Sequence, residues 1–341
     1  MRNIMKPAIL IVLILGLVCG QTVSKVGTTA APFLKIPVGA RALGMGEAVV
    51  TQTYDVTAMY WNPAGLGDVS QIQVVLNHYE YFANLHFDYV GVAFPAGQAG
   101  TLGMNFTYFG GDDIERTTEE FQDGSGELIS YGFYAIGMSF GSKLTNRFSI
   151  GGNLKYIKEN LWHESASGAA LDVGILYRTQ FKNTVIGMSI SNFGTSMKQD
   201  GWDLLVQHDI DDGVDGNNEN INASLGTDEF KLPIFFRVGI SNNITRDLLG
   251  IEDHDLILAV DAVHPNDNLE YLNVGAEYNM MNMIKLRMGH RQLLLDNAEG
   301  GLSFGGGIHY DFPGFSMDLD YAALDFGRLD FTNKFTLLLT F

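Results

Sequence analysis

Cysteine is nearly missing from this chain: Cys19 is the one copy in 341 residues. An intrachain disulfide is therefore excluded, and stability has to come from hydrogen bonding and packing. Charge is scarce as well. Asp, Glu, Lys and Arg make up 18% of the residues, with 39 acidic against 21 basic side chains and a net charge of −18. That balance leaves nothing to neutralise phosphates, so nucleic acid is excluded as a partner. Long apolar runs are absent after the first twenty residues, and no segment is fit to cross a bilayer as a helix. A membrane location then requires a closed barrel, because only helices and barrels satisfy every backbone group in lipid.

Glycine and aromatics are plentiful, with 40 Gly and 11% Phe, Trp and Tyr. The N-terminus carries the parts of a secretory signal over residues 1–20: Arg2 and Lys6, an apolar run over 8–18, and small residues at Cys19 and Gly20. Acylation of Cys19 is the competing reading, disfavoured by the bulky Val18 before it. Either way the chain is expected to be exported.

From residue 71 onward the hydrophobic period is two. Ile284, Leu286 and Met288 alternate with Lys285 and Arg287; Met317, Leu319 and Tyr321 alternate with Ser316, Asp318 and Asp320. Ile186, Met188 and Ile190 alternate with Gly187, Ser189 and Ser191. The second face is mostly Gly, Ser, Ala and Asn with isolated charges. That suits a crowded lumen better than a water-facing sheet, while the first face is nearly free of charge, as lipid contact demands. Such segments fall at 71–80, 86–95, 100–109, 127–141, 147–159, 167–178, 183–193, 232–242, 254–264, 270–280, 284–293, 301–312, 315–326 and 334–341. The expected fold is all-β: a transmembrane antiparallel barrel of about fourteen strands over residues 71–341.

With both ends of the chain on the periplasmic side, the long acidic connections 110–126 and 194–231 face outward. The connections 95–100, 141–146, 178–183, 281–283 and 312–314 face inward and are short, the asymmetry known for such barrels. One inward connection, 243–253, is longer, and its residues 244–249 suit a helical turn. The chain ends on Phe341, which shares a face with Phe335, Leu337 and Leu339. A terminal aromatic on an amphipathic strand resembles the signal read by barrel-assembly machinery.

Residues 21–70 break the pattern. They contain Phe33 to Gly46, reading FLKIPVGARALGMG, and Ala58 to Leu66, reading AMYWNPAGL. The glycines and the Asn62-Pro63 step point to a tightly folded piece rather than a free tail. This stretch closely resembles the PorV/PorQ family of Bacteroidetes-type outer-membrane proteins, which belong with the FadL-like barrels. The departures are Glu47, where the family usually has Gly, and Thr51-Gln52-Thr53-Tyr54 in place of a small acidic spacer. The resemblance implies a fourteen-stranded barrel in the bacterial outer membrane with residues 21–70 as a lumen plug, or hatch. Its motif residues are Gly39, Arg41, Gly44, Gly46, Trp61, Asn62, Pro63 and Gly65. It also implies a part in type IX secretion or surface attachment, with proteins of that machinery and their cargo as partners alongside outer-membrane lipid. The alternative is a FadL-like transporter of hydrophobic small molecules.

Arg41 is expected to pair with one of the lumen carboxylates Asp172, Glu277, Asp318 and Asp320, since an unpaired charge in a narrow lumen is costly; a solvated Arg on a mobile plug is the plain alternative. Lys155, Arg237, Lys285 and Arg287 also point inward, and opposite charges on facing walls lock a lumen more often than they line an open pore. Asp209, Asp211, Asp215 and Glu219, spaced by Gly213 and Gly216, partly mimic a calcium loop, but Asn222 stands where a closing Glu belongs. A solvated acidic loop is the preferred reading, and no other cofactor is implied. The eight histidines show no paired metal spacing, and His309 and Ser303 lie too far apart on one strand to act together, so no catalysis is expected. Trp61, Tyr79, Tyr81, Phe82, Tyr108 and Phe109 read as girdle and plug packing rather than a sugar track.

Overall fold

The computed structural model describes residues 25–209, 220–249, 254–295, 298, 300–329 and 331–341. Residues 1–20, where a secretory signal is expected, and Cys19 among them lie outside the described residues, as do Asp211, Asp215 and Glu219 of the suggested calcium loop.

The alternating segments form fourteen strands: β1 (Gln73–Glu80), β2 (Leu85–Pro95), β3 (Thr101–Gly111), β4 (Tyr131–Thr145), β5 (Phe148–Leu161), β6 (Glu164–Arg178) and β7 (Val185–Gly194), then β8 (Phe235–Asn243), β9 (His254–Pro265), β10 (Tyr271–Met280), β11 (Ile284–Leu293), β12 (Leu302–Phe312), β13 (Phe315–Asp325) and β14 (Phe331–Thr340). Each pairs antiparallel with its sequence neighbour, and β14 returns to β1 with Leu76 opposite Leu337 and His78 opposite Phe335. The sheet holds fifteen strands among the described residues; the extra one, Asp200–Gly201, is appended to β6 and is not part of the ring. Closure removes the sheet edges, so every wall strand is paired on both sides.

All fourteen expected segments contain a strand. The largest displacement is at β4, expected from 127 but starting at Tyr131, because Leu128–Ile129 pairs instead with Ile114–Glu115 in a small separate hairpin. Residues Ile244–Leu249 do form a helical turn, of the π type.

The two faces divide as the pattern requires. Leu286, Met288, Leu319, Ile136 and Leu154 are exposed on the outer wall, while Arg287, Asp318, Asp320, Ser139 and Asn153 on alternate positions are buried in the lumen. Phe341 stacks near Phe315 (ring centroids 6.1 Å apart), and Phe315 stacks on Phe312 (4.8 Å), building an aromatic girdle at the end of the short connections. Tyr79 instead turns inward, where its hydroxyl donates to the Pro37 carbonyl at 2.8 Å.

Residues 25–72 run through the lumen from one mouth to the other. The sequence reading puts both chain ends beside the short connections. Phe341 is there, its N–H donating to Ile72 O at 2.9 Å. Lys25, however, lies at the opposite mouth, where its N–H donates to Asp267 O at 3.1 Å. The chain then descends through a 3-10 turn (Pro32–Lys35), α1 (Ala40–Gly44), α2 (Ala58–Trp61) and a second 3-10 turn (Pro63–Asp68). Asp68 closes the path at the short-connection end, 2.6 Å from Lys143 and 3.4 Å from Arg178. Val38, Leu43, Met45, Val50, Met59 and Leu66 on this path are fully buried, each contributing about 1.5–3 kcal/mol. No helix among the described residues is long and apolar enough to cross a membrane.

Candidate functional site

The plug and the wall it touches form a densely built polar site. Gly39 takes a positive φ of 89° as the residue before α1, a conformation glycine adopts without strain. Gly44 and Gly46 answer to close approach. A Cβ on Gly44 would stand 3.0 Å from the Gly305 Cα, and one on Gly46 2.5 Å from the His290 backbone nitrogen. Gly65 is tighter still, with a Cβ position 1.9 Å from the Thr53 carbonyl oxygen. Trp61 donates its indole N–H to Val38 O at 2.9 Å. Asn62 joins three parts of the molecule: its Nδ2 donates to Val50 O (2.9 Å) and to Ile175 O on β6 (3.2 Å), and its Oδ1 accepts the Ala64 N–H (3.2 Å). Pro63 opens the second 3-10 turn after an extended Asn62, the geometry a residue before proline prefers. The Tyr60 hydroxyl sits between two plug carbonyls, donating its one hydrogen between Ile36 O at 2.9 Å and Leu34 O at 3.1 Å.

The wall has been thinned to admit this piece. Cβ atoms at Gly151, Gly174, Gly275 and Gly289 would lie 2.3 Å from Pro63, 1.9 Å from Asn62, 2.3 Å from Met45 and 2.1 Å from Gly46. Glu47, the residue out of line with the family motif, has a φ of 64°, a conformation that favours glycine. Its carboxylate is held 3.1 Å from Arg291 on β11, a contact that glycine cannot make.

Arg41 meets Glu277 with both ends of its guanidinium fork. Nε and Nη2 each lie 3.0 Å from a carboxylate oxygen, and Nη1 donates to the Gln52 carbonyl at 2.6 Å. Glu277 also accepts from Arg287 Nε at 2.6 Å, and Arg287 Nη1 reaches Asp320 at 2.6 Å. The order is Arg41, Glu277, Arg287, Asp320: alternating charges across β10, β11 and β13, with one member on the plug. Bidentate pairing of this kind fixes orientation as well as contributing energy. Of the four carboxylates expected to compete for Arg41, Glu277 takes it. Asp318 is bound by Lys285 (2.5 Å) and His309 (3.0 Å), and Asp172 by Lys155 (2.8 Å). Asp172 also accepts from Asn153 Nδ2 at 2.9 Å and from the Asn192 N–H at 2.7 Å, where β7 bulges away from β6.

Arg237 stands apart. Nearly buried, it donates to Ser191 Oγ at 3.1 Å and lies over the rings of Phe235 (4.5 Å) and Trp61 (5.5 Å). It faces a cavity of about 220 Å³ at the long-connection end, walled also by Tyr60, Tyr271 and Pro265.

Sequence reading missed several contacts that hold the plug. Asp261, buried on β9, accepts the Val50 N–H at 2.9 Å; Ser303 accepts from Gly46 at 3.1 Å; Thr336 accepts from Ala40 at 2.8 Å. Their inward parity was readable, but their partners are backbone groups, which no side-chain pattern identifies. Ser303 serves the plug and His309 serves Asp318, so the two are not brought together. Asp209 lies just beyond a hairpin of Leu205–His208 with Ile221–Ser224. Among the described residues no three His, Cys, Asp or Glu side chains gather as a metal site.

Set beside known proteins, residues 20–226 match the family model described as type IX secretion system protein PorV, a span covering the plug and β1 to β7. Solved structures share the fold, two of them hydrocarbon channels or transporters. The monoaromatic hydrocarbon channel CymD superposes with a TM-score of 0.53 at 13% identity, covering 89% of this chain and 97% of that one. The toluene transporter TodX of Pseudomonas putida gives 0.53 at 12% identity, with the same coverage of 89% and 97%. No curated protein matches.

Proposed function

Since the chain belongs to the PorV family of type IX secretion system proteins, we propose that it serves that pathway as a closed outer-membrane barrel, engaging exported cargo and attachment proteins through its outer loops rather than conducting them through its lumen. In this reading residues 1–20 are a cleaved signal, 21–70 the plug and 71–341 the barrel, and the role is non-enzymatic. The observation that carries it is the filled lumen. The plug spans the barrel from mouth to mouth, and the chain from Arg41 through Glu277 and Arg287 to Asp320 ties it to three strands. A lumen so tied has no free path for a polypeptide.

The long-connection end is available to a partner. The loop 112–130 carries Asp112, Asp113, Glu115, Glu119, Glu120 and Asp123 with exposed Ile114, Phe121 and Leu128; the loop 195–234 adds exposed Trp202, Leu205, Leu225 and Phe230. Acidic loops with exposed apolar side chains are a surface for protein contact.

The transporter alternative would need a small hydrophobic molecule to enter from the outer mouth, where the cavity beside Arg237 offers the rings of Tyr60, Trp61, Phe235 and Tyr271 but also the charges of Lys35, Glu47, Asp267 and Arg291. Deleting the gene separates the two. The secretion reading expects cargo to accumulate in the periplasm with uptake of hydrophobic compounds unchanged. Normal surface cargo with lost uptake of such a compound would overturn it in favour of transport.

A further inference from the structure

The cavity of about 220 Å³ beside Arg237 holds a charge that the secretion reading leaves unused. Plug and wall build it together: Glu47, Tyr60 and Trp61 come from the plug, Phe235 and Arg237 from β8, and Tyr271 from β10. Three cations and two carboxylates line it. Lys35 pairs with Asp267, and Arg291 pairs with Glu47 at 3.1 Å. Arg237 is the cation left over.

Two features mark the cavity as built to take a ligand. The first is an unmet charge. Arg237 is 7% exposed, and among the described residues no Asp or Glu forms an ion pair with it. Its Nη1 donates to Ser191 Oγ at 3.1 Å. Nε and Nη2 have no acceptor among the described residues, yet both keep accessible surface where the side chain lines the cavity. Asp261 on β9 acts on Arg237 only from a distance; it does not line the cavity and spends Oδ2 on the Val50 N–H at 2.9 Å. A buried charge without a partner is costly, so an arriving anion is favoured. The second feature is shape. The rings of Phe235 and Trp61 lie 4.5 and 5.5 Å from the guanidinium, and Tyr60 and Tyr271 add two more to the wall. Such rings pack a flat apolar body, and a guanidinium fork matches a carboxylate. A dry cavity of ~150 Å³ is enough for benzene. The space here therefore holds one ring with its carboxylate and excludes a long chain.

We propose that this cavity at the outer mouth binds a small aromatic carboxylate, its anionic end on the free N–H groups of Arg237 and its ring among Phe235, Trp61, Tyr60 and Tyr271. The ligand touches plug and wall at once, because Trp61 belongs to the plug and Arg237 to β8. Occupancy therefore ties the plug more firmly to the barrel rather than opening a path past it. The site requires no cargo and stands independently of the secretion role.

The test is calorimetric titration of the full chain in lipid nanodiscs with benzoate, benzamide, toluene and acetate. Saturable binding of benzoate is expected, about ten-fold or more tighter than that of the other three. Arg237→Gln should bring benzoate down to the level of benzamide. Arg237→Lys, which keeps the charge without the fork, should retain part of the preference. Should neither variant assemble, the comparison of the four ligands on the unaltered chain still decides. No saturable binding of benzoate, equal affinity for benzamide or acetate, or a preference that survives Arg237→Gln overturns the proposal. Toluene binding as tightly as benzoate also overturns it, in favour of the transporter reading. None of these results bears on cargo export, which the gene deletion tests separately.

Discussion

Arg41 shows how one side chain can decide whether a lumen is shut. It is the plug's cation in a four-member charge chain, and its partner Glu277 is almost wholly buried. Replacing Arg41 with Ala leaves Glu277 with Arg287 alone, and breaking a buried pair from one side costs about 3–5 kcal/mol. The expected outcome is a barrel that still assembles but flickers between closed and conducting levels in planar bilayers, where the unaltered chain stays closed. A silent R41A would mean that apolar packing alone holds the plug. Gly289 supplies a steric counterpart. A side chain there would meet the Gly46 backbone at 2.1 Å, whereas at Gly306 the nearest atom is 3.8 Å away. Gly289→Val should therefore fail to assemble or should lower thermal stability by several degrees, and Gly306→Ala should change neither, as heat-modifiable gel mobility would report. At this scale the sequence was partly legible. Opposite charges at inward positions announced the network, and inward parity narrowed Arg41 to four carboxylates. Choosing Glu277 among them required knowing how far down the lumen α1 sits, which depends on packing between distant segments.

Strands were the most legible elements because period two survives any change of partner: a residue's parity fixes its face whatever lies opposite it. Glycine carried a second message that parity alone could not convey. Gly151, Gly174, Gly275 and Gly289 read as small lumen residues, but that they are recesses for Pro63, Asn62, Met45 and Gly46 appears only once plug and wall are placed together. The plug was legible through its motif and not through periodicity, since its short helices α1 and α2 are too brief to show any. Removing residues 25–70 while keeping residues 1–24 and the fourteen strands should give a folded barrel with steady ion conductance. The strand-to-strand backbone hydrogen bonds of the wall are complete without the plug, although the lumen side chains would then rely on water. If such a chain folded and remained non-conducting, the outer loops rather than the plug would be sealing it.

For the whole molecule, the division between closed wall and exposed loops sets the functional account. The fold is shared with CymD and TodX at 12–13% identity, a likeness of architecture alone; the family match over residues 20–226 is what assigns the pathway. Period two made the barrel readable from the chain. The direction in which the plug threads the barrel was not readable, because no local pattern says at which mouth Lys25 should lie. The central claim is that the barrel works through its outer loops while its lumen stays shut. The most direct measurement is the fraction of cargo reaching the cell surface in a strain lacking the gene, complemented either by the full chain or by one whose loops 112–130 and 195–234 are cut to tight turns. The account predicts full surface display with the first and periplasmic retention with the second, even where the shortened barrel assembles in normal amount. Full display from the loop-shortened barrel would contradict it.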